Sequence, residues 1–221
     1  AMKRAEPRIC AARAPPRGGG RSPLYPWADS TCSVRPPEGS LPAARILVLF
    51  AHPAFERSRV HRRLAASARA QHGVTFHDLY DAYPDFDVDV RREQELLLAH
   101  DLIVLQHPLY WYSTPPLLKQ WIDLVLEYGW AYGERGIALR GKRLLSVISA
   151  GGSESSYGRS GIHHFTLPEV LAPLVQTARL CGFELLPPFV LYGTHDLDAA
   201  AIARAADEYG RLLAALRDGG A

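Results

Sequence analysis

Arg45-Ile46-Leu47-Val48-Leu49-Phe50-Ala51 is an apolar run that opens into the polar stretch His52-Pro53-Ala54-Phe55-Glu56-Arg57-Ser58-Arg59. A strand with one wet face alternates apolar and polar residues. This run does not, so it predicts a parallel strand buried on both faces. The same pattern recurs at Asp101-Leu102-Ile103-Val104-Leu105-Gln106-His107, and residues 143–150 read as the fourth strand. Helical spacing fills the gaps: 58–71 with a stop at Gly73, 88–100, and Pro115-Pro116 leading into Leu117, Leu118, Trp121, Ile122, Val125 and Leu126. Residues 74–80 read as the second strand, 168–180 as a helix stopped by Gly182, and 183–192 as a fifth strand broken near Pro187-Pro188. Residues 198–216 read as the last helix. Strands alternating with helices specify a parallel α/β sheet. Five strands favour the order 2-1-3-4-5 over the six-stranded dinucleotide-binding arrangement.

Composition narrows the function. The 221 residues carry a net charge of +2, but residues 1–44 hold seven basic and three acidic groups and eight of the 17 prolines. The remainder holds 18 basic and 20 acidic groups, a net −2. The folded part is therefore no basic surface, which argues against nucleic-acid binding. Residues 1–44 show no periodicity and too little apolar content to offset ordering entropy, so they are expected to be a disordered Pro/Gly/Arg-rich extension, of vector origin or from an over-early start codon. The domain is expected over 45–218. No stretch approaches a membrane-spanning length, and no apolar core of a secretory signal is present. Three cysteines without metal-site spacing fit a reducing, cytoplasmic setting, with Cys181 expected as a buried small hydrophobe.

In an open α/β sheet, ligands bind beyond the carboxyl ends of the strands where strand order reverses. That selects the loops 52–60, 108–114 and 150–163. The first lacks GxGxxG and the P-loop motif but offers Ser58 at a helix start with His52 and two arginines. This composition suits a phosphate, or Ser58 simply caps the helix while His52 bonds to backbone. The second, Pro108-Leu109-Tyr110-Trp111-Tyr112-Ser113-Thr114, either packs its aromatics under the next helix or offers them to a flat ligand or partner. The third joins Ser149-Ala150-Gly151-Gly152 to Tyr157 and His163; it contains no GxSxG elbow, and His163-His164 has the wrong spacing for a helical metal pair. No metal is expected.

Ala51-His52-Pro53 with Ser58, and Gln106-His107-Pro108-Leu109-Tyr110-Trp111-Tyr112-Ser113 leading into Pro116-Leu117-Leu118-Lys119, resemble the NAD(P)H:quinone oxidoreductases of flavodoxin-like three-layer fold. Gly129-Trp130-Ala131-Tyr132-Gly133 and Gly151-Gly152 extend the resemblance. His77-Asp78-Leu79-Tyr80 with Tyr83-Pro84-Asp85-Phe86 is most similar to the ancillary proteins of bacterial glutathione-gated potassium efflux systems. The resemblance spans about residues 45–217. It implies flavin-dependent, two-electron, ping-pong reduction of quinones by NADH or NADPH in a homodimer. Carried over, His52 with Ser58, Arg59, Val60 and His61 would bind the flavin phosphate end. Leu109, Tyr110, Trp111 and Tyr112 would border the ring system, and Ser149, Ala150, Gly151 and Gly152 its pyrimidine edge. Tyr157 and His163 would be catalytic, and Trp130 and Tyr132 would cover the partner's substrate. FMN is expected rather than FAD, because the long carboxyl-terminal addition of the FAD-binding mammalian enzymes is not seen.

Two other readings stay open. One is a regulatory subunit docked on a membrane antiporter, with or without turnover, at the inner face of the cell membrane. The other is a flavodoxin-type electron carrier, which the aromatic cover at 128–132 and the near-neutral charge disfavour. Hydrolysis by Ser155 or Ser156 with His163 is the weakest alternative.

Overall fold

The computed structural model describes residues 43–219; the expected extension, up to residue 42, lies outside the described residues. Ala44, assigned to that extension by the sequence, is tied to the domain, its N–H donating to Arg217 O at 2.8 Å. The apolar run forms β1 (Ile46–Phe50), every residue of which is fully buried. It pairs in parallel with β2 (Val74–Asp78) on one side and β3 (Leu102–Pro108) on the other, and β3 pairs with β4 (Arg143–Ser149). The sheet order is 2-1-3-4-5, and the chain has the flavodoxin-like α/β fold.

The fifth sheet position is shared by two short strands. β5 (Glu184–Leu185) and β6 (Phe189–Leu191) each pair in parallel with β4. Pro187 and Pro188 between them carry no N–H to donate to a ladder, so pairing lapses there and resumes. Two sequence expectations are adjusted for similar local reasons. The second strand stops at Asp78 rather than 80, because the Asp78 carboxylate accepts from Tyr80 N at 3.1 Å and starts the short helix α2 (Leu79–Ala82). The helix expected over 168–180 is two pieces, α5 (Leu167–Val170) and α6 (Ala172–Leu180). Pro173 cannot donate to the carbonyl four residues back, and its ring crowds that carbonyl.

Successive strand residues point to opposite faces, so β1 feeds two cores. Ile46, Val48 and Phe50 pack against Leu64 of α1 (Arg59–Arg69) and Tyr209 and Leu213 of α7 (Ala199–Arg217). Leu47 and Leu49 face the other way, with Leu97 of α3 (Val90–Ala99), Leu117 and Trp121 of α4 (Pro116–Val125), and Ala178 of α6. Each such side chain contributes about 1.5–3 kcal/mol by leaving water. Cys181 is buried in this second core as expected, and burial pushes its thiol pKa up.

One carboxylate sits inside the second core. Glu93 of α3 is fully buried and accepts three hydrogen bonds: from His77 Nε2 (2.8 Å), Tyr83 OH (2.6 Å) and Trp121 Nε1 (2.8 Å). Burial raises its pKa, but these donors outweigh burial and the net shift is downward. The charge thus binds β2, α2, α3 and α4 together on the side of the sheet from which the aromatic loop emerges.

Candidate active site

The loops after β1, β3 and β4 converge beyond the carboxyl edge of the sheet. They enclose a cavity of about 470 Å³ lined by His52, Ser58, Arg59, Val60, Leu109, Tyr110, Ser149 and Gly151. That volume falls within the range of roughly 300–1,000 Å³ typical of small-molecule sites.

The β1–α1 loop supplies an anion-binding end. Ser58 is the N-cap, its hydroxyl accepting from His61 N at 3.0 Å. The amides of Arg59 and Val60 open the helix without an intrahelical acceptor, at the positive end of the helix dipole. His52 Nδ1 accepts from Ala54 N at 3.1 Å. Burial lowers the His52 pKa, which favours the neutral ring; with Nδ1 accepting, its proton is on Nε2 and His52 is a donor in the cavity wall. The cap and the backbone bond are both present, and they leave donors free at this end of the cavity. Arg59 Nη2 donates to Leu197 O at 2.7 Å, which ties the β6–α7 loop to the same end.

His61 is not in the cavity wall. It lies buried behind, with Nε2 2.8 Å from Ser149 Oγ, and burial holds its pKa well below the ordinary value, with His52 and His107 adding to the effect. It steadies the Ser149 hydroxyl. Ala150 is also fully buried, its N–H already donating to Leu191 O at 2.8 Å, so its amide serves the sheet and not a ligand.

Gly151 and Gly152 sit where ring side chains approach the backbone closely. A Cβ on Gly152 would lie 2.7 Å from His163 Nε2 and 3.2 Å from Tyr157 Cε2; on Gly151 it would lie 3.0 Å from His195 Nε2. The Tyr157 and His163 rings pack at 4.4 Å between centroids, 33° apart. Burial, with the nearby Tyr112 phenol adding to it, raises the Tyr157 pKa, so the phenol keeps its proton at neutral pH. His163 Nε2 is buried without a protein partner, while Nδ1 is 3.2 Å from Tyr112 OH.

Tyr112 reaches His163 because its loop is strained. Tyr110 and Ser113 exchange both backbone hydrogen bonds (3.0 and 2.9 Å), and the two residues between them, Trp111 (φ 46°) and Tyr112 (φ 63°), are left-handed. That is a tight hairpin turn of a kind normally given to Asn and Gly. Placing two bulky aromatics there costs on the order of 1–3 kcal/mol each, a pattern that concentrates at functional sites. Trp111 is 91% exposed, and Tyr112, Ile162 and Phe165 are also exposed. The aromatics are thus offered outward rather than packed under the helix.

The structure does not bring Trp130 and Tyr132 to this cavity within one chain. Both are partly buried against the second core, and Tyr128, stacked edge-on against Tyr132, is 70% exposed. Conversely, the sequence reading missed Thr194 and His195, which line the cavity from the loop after β6. The polar run Gly193-Thr194-His195-Asp196 directly after the last strand was the available signal. The Ser153 hydroxyl bonds to those of Ser155 and Ser156 (3.0 and 2.8 Å), and His163 meets Ser156 through the backbone, its N–H donating to Ser156 O at 3.1 Å, rather than through the imidazole. Among the described residues no cluster of His, Cys, Asp or Glu is arranged to hold a metal, and no helix is long and apolar enough to cross a membrane.

A parallel 2-1-3-4-5 sheet carries, beyond its carboxyl edge, a helix start with donors free for an anion, a glycine turn and an aromatic rim. The chain belongs to the flavodoxin-like fold family, whose sequence model matches residues 44–213. It is 43% identical over 168 residues to the glutathione-regulated potassium-efflux system ancillary protein KefF of Klebsiella aerogenes, covering 76% of this chain and 94% of that one. The structure of general stress protein 14 from Treponema denticola in complex with FMN superposes with a TM-score of 0.75 at 39% identity, over 78% of this chain and 99% of that one. An NADPH-quinone reductase from P. pentosaceus superposes with a TM-score of 0.70 at 33% identity, over 76% and 97%.

Proposed function

We propose that the protein is an FMN-dependent NAD(P)H:quinone oxidoreductase working by a two-electron ping-pong cycle. The observation that carries this reading is the 470 Å³ cavity joining the α1 N-terminus, His52 and Ser149 to Gly151. FMN fits this donor set: one phosphate for the helix start and His52, one flat ring system for the glycine edge and the rim. The FMN complex and the NADPH-quinone reductase among the relatives support it.

When bound, FMN supplies the two-electron chemistry linking nicotinamide oxidation to quinone reduction. The chain's part is binding, orientation and proton control. Ser58, the Arg59 and Val60 amides and His52 would hold the phosphate end. Leu109 and Tyr110, in the same cavity wall, would border the ring, and Ser149 and Gly151 would meet its polar edge. Tyr157 keeps a phenolic proton beside His163 at the Gly152 turn, and the pair would serve there to give or share a proton with the bound ring. The proposed assembly is a homodimer in which the partner's Trp130–Tyr132 segment covers the substrate. The exposed Trp111, Tyr112, Ile162 and Phe165 on the rim supply the apolar surface such an interface needs.

The 43% identity to KefF favours a second reading, a regulatory subunit docking on a potassium-efflux antiporter, which is compatible with turnover. The decisive test of the first is Ser58→Glu, which sets a carboxylate against the phosphate. The purified wild-type protein is expected to show oxidised-flavin absorbance, with FMN released on denaturation, and the variant to lose it. A colourless wild type, or a variant with unchanged FMN affinity, overturns the assignment. Sedimentation showing a fully active monomer overturns the dimer.

A further inference from the structure

The resemblance to the quinone oxidoreductases sets Tyr112 beside the flavin ring, but its side chain lies elsewhere. Leu109 and Tyr110 of the same loop line the 470 Å³ cavity, whereas Tyr112 is not part of that wall. It turns instead to the loop between β4 and α5. Its phenol oxygen lies 3.2 Å from His163 Nδ1, and the two rings meet edge to face at 5.5 Å between centroids. The hairpin turn aims it there: Trp111 and Tyr112 hold left-handed φ values of 46° and 63°, and the Tyr110–Ser113 backbone pair pins the turn on either side.

The opposite edge of His163 decides which atom donates in that bond. A Cβ on Gly152 would lie 2.7 Å from His163 Nε2 and 3.5 Å from Cδ2, off the outer edge of the ring at that nitrogen. The Gly152 Cα–H in this direction therefore points at Nε2, which is buried and has no hydrogen-bond partner in the protein. A lone pair on Nε2 receives that Cα–H as a weak hydrogen bond. An N–H there would instead be a buried donor facing another hydrogen, with no acceptor. The hydrogen of the neutral imidazole thus belongs on Nδ1, and Nδ1–H donates to the Tyr112 oxygen. Tyr112 is half exposed, so its own O–H is free to meet water. The imidazole is held at Nδ1 by Tyr112, at Nε2 against Gly152, and on one face by the Tyr157 ring at 4.4 Å.

We propose that Tyr112 is a positioning residue for His163: its phenol oxygen accepts the Nδ1 hydrogen, fixes the imidazole in the tautomer with a bare Nε2, and keeps its face against Tyr157. The functional consequence rests on the redox reading, since it concerns the proton-handling pair assigned there, but the tautomer is read without turnover. Two other roles fit the geometry less well. A residue that walls the flavin ring would line the cavity, as Tyr110 does. A residue that only fills the turn needs no hydroxyl, and phenylalanine would serve equally.

The first test is nitrogen NMR of the purified full-length protein labelled with nitrogen-15 histidine, at about pH 8, where an ordinary imidazole is neutral. The His163 signals are assigned by their loss in His163→Gln, and an unprotonated ring nitrogen resonates far downfield of a protonated one. Nδ1 protonated and Nε2 bare is the expected result. Tyr112→Phe, which removes only the hydroxyl, is expected to lower that preference at least about threefold. Nε2 protonated in the wild type, or a tautomer ratio unchanged in Tyr112→Phe, overturns the proposal. The second test is stopped-flow flavin reduction by NADPH in Tyr112→Phe, His163→Gln and the double variant. Tyr112→Phe is expected to slow reduction about two- to tenfold, and to have no further effect in the His163→Gln background, because Tyr112 acts through the imidazole it holds. Equal slowing in both backgrounds, or a wild-type rate in Tyr112→Phe while His163→Gln is slow, overturns the positioning role. A wild-type rate in His163→Gln counts against the redox role of the pair instead and leaves the tautomer to judge Tyr112; flavin absorbance on the same samples judges the FMN reading separately.

Discussion

Replacing Glu93 by Gln removes one negative charge from the centre of the second core while nearly preserving volume. In the wild type the two carboxylate oxygens serve three donors: Oε1 accepts from His77 and Tyr83, and Oε2 from Trp121. The amide retains one oxygen and turns an NH2 group toward donors. Either the amide nitrogen faces Trp121, which can only donate, or it faces His77 and Tyr83, which must then accept instead of donate; all three bonds lose charge assistance. A hydrogen bond to a buried charge contributes about 1.5–3 kcal/mol, and disrupting a buried charged network typically costs about 3–5 kcal/mol. For a domain of this size each kcal/mol moves the melting temperature by roughly 2–4 °C, so the variant is expected to melt about 10 °C lower at pH 7. The pH dependence has a definite sign. The folded-state pKa of Glu93 is lowered, so its stabilisation is present above the ordinary value of 4.5 and is lost as pH falls through the folded value. The gap between wild type and variant is therefore expected to narrow as pH drops below that value. Calorimetric melts of both proteins at stepped pH check it. A variant that melts within 2 °C of wild type at pH 7, or a gap that widens on acidification, would refute the reasoning.

Other expectations follow from the site. Tyr157→Phe and His163→Gln should each slow flavin reduction by NADPH roughly ten- to a thousandfold with FMN content preserved, an effect of order 1.4–4 kcal/mol on the barrier; wild-type stopped-flow rates in both would remove the pair from catalysis. His107, held at a pKa of about 4 by burial, is neutral in the folded state while an unfolded histidine protonates near 6.5. Its contribution should be lost progressively as pH falls from 6.5 toward 4, by up to about 3 kcal/mol, and urea midpoints that stay flat over that window would contradict it. Removing residues 1–42 should leave the melting temperature and FMN content unchanged, since their composition supplies too little apolar area for a packed face; a drop of many degrees would show otherwise.

Sheet order and site location could be read in the linear sequence because both rest on local, repeated features. The runs at 46–50, 102–107 and 143–149 lack alternation, which marks strands buried on both faces, and the topology of such a sheet then names the loops where ligands bind. Ser58 was legible for the same reason, since an N-cap is a local device. Glu93 was not. In Val90-Arg91-Arg92-Glu93-Gln94-Glu95 it reads as one more charge on a wet helix face, and its burial depends on donors 10 to 28 residues away. Nor did the sequence indicate that His61 braces Ser149 across 88 positions or that Tyr112 reaches His163 across 51, and the polar run at 193–196 alone did not place Thr194 and His195 in the cavity wall. Periodicity reports which face of an element meets the core, because that is set by the element's own geometry. Which polar atoms meet, and which nitrogen of a histidine keeps its proton, is set by neighbours distant in the chain, and so becomes fixed when the sheet assembles and its helices pack.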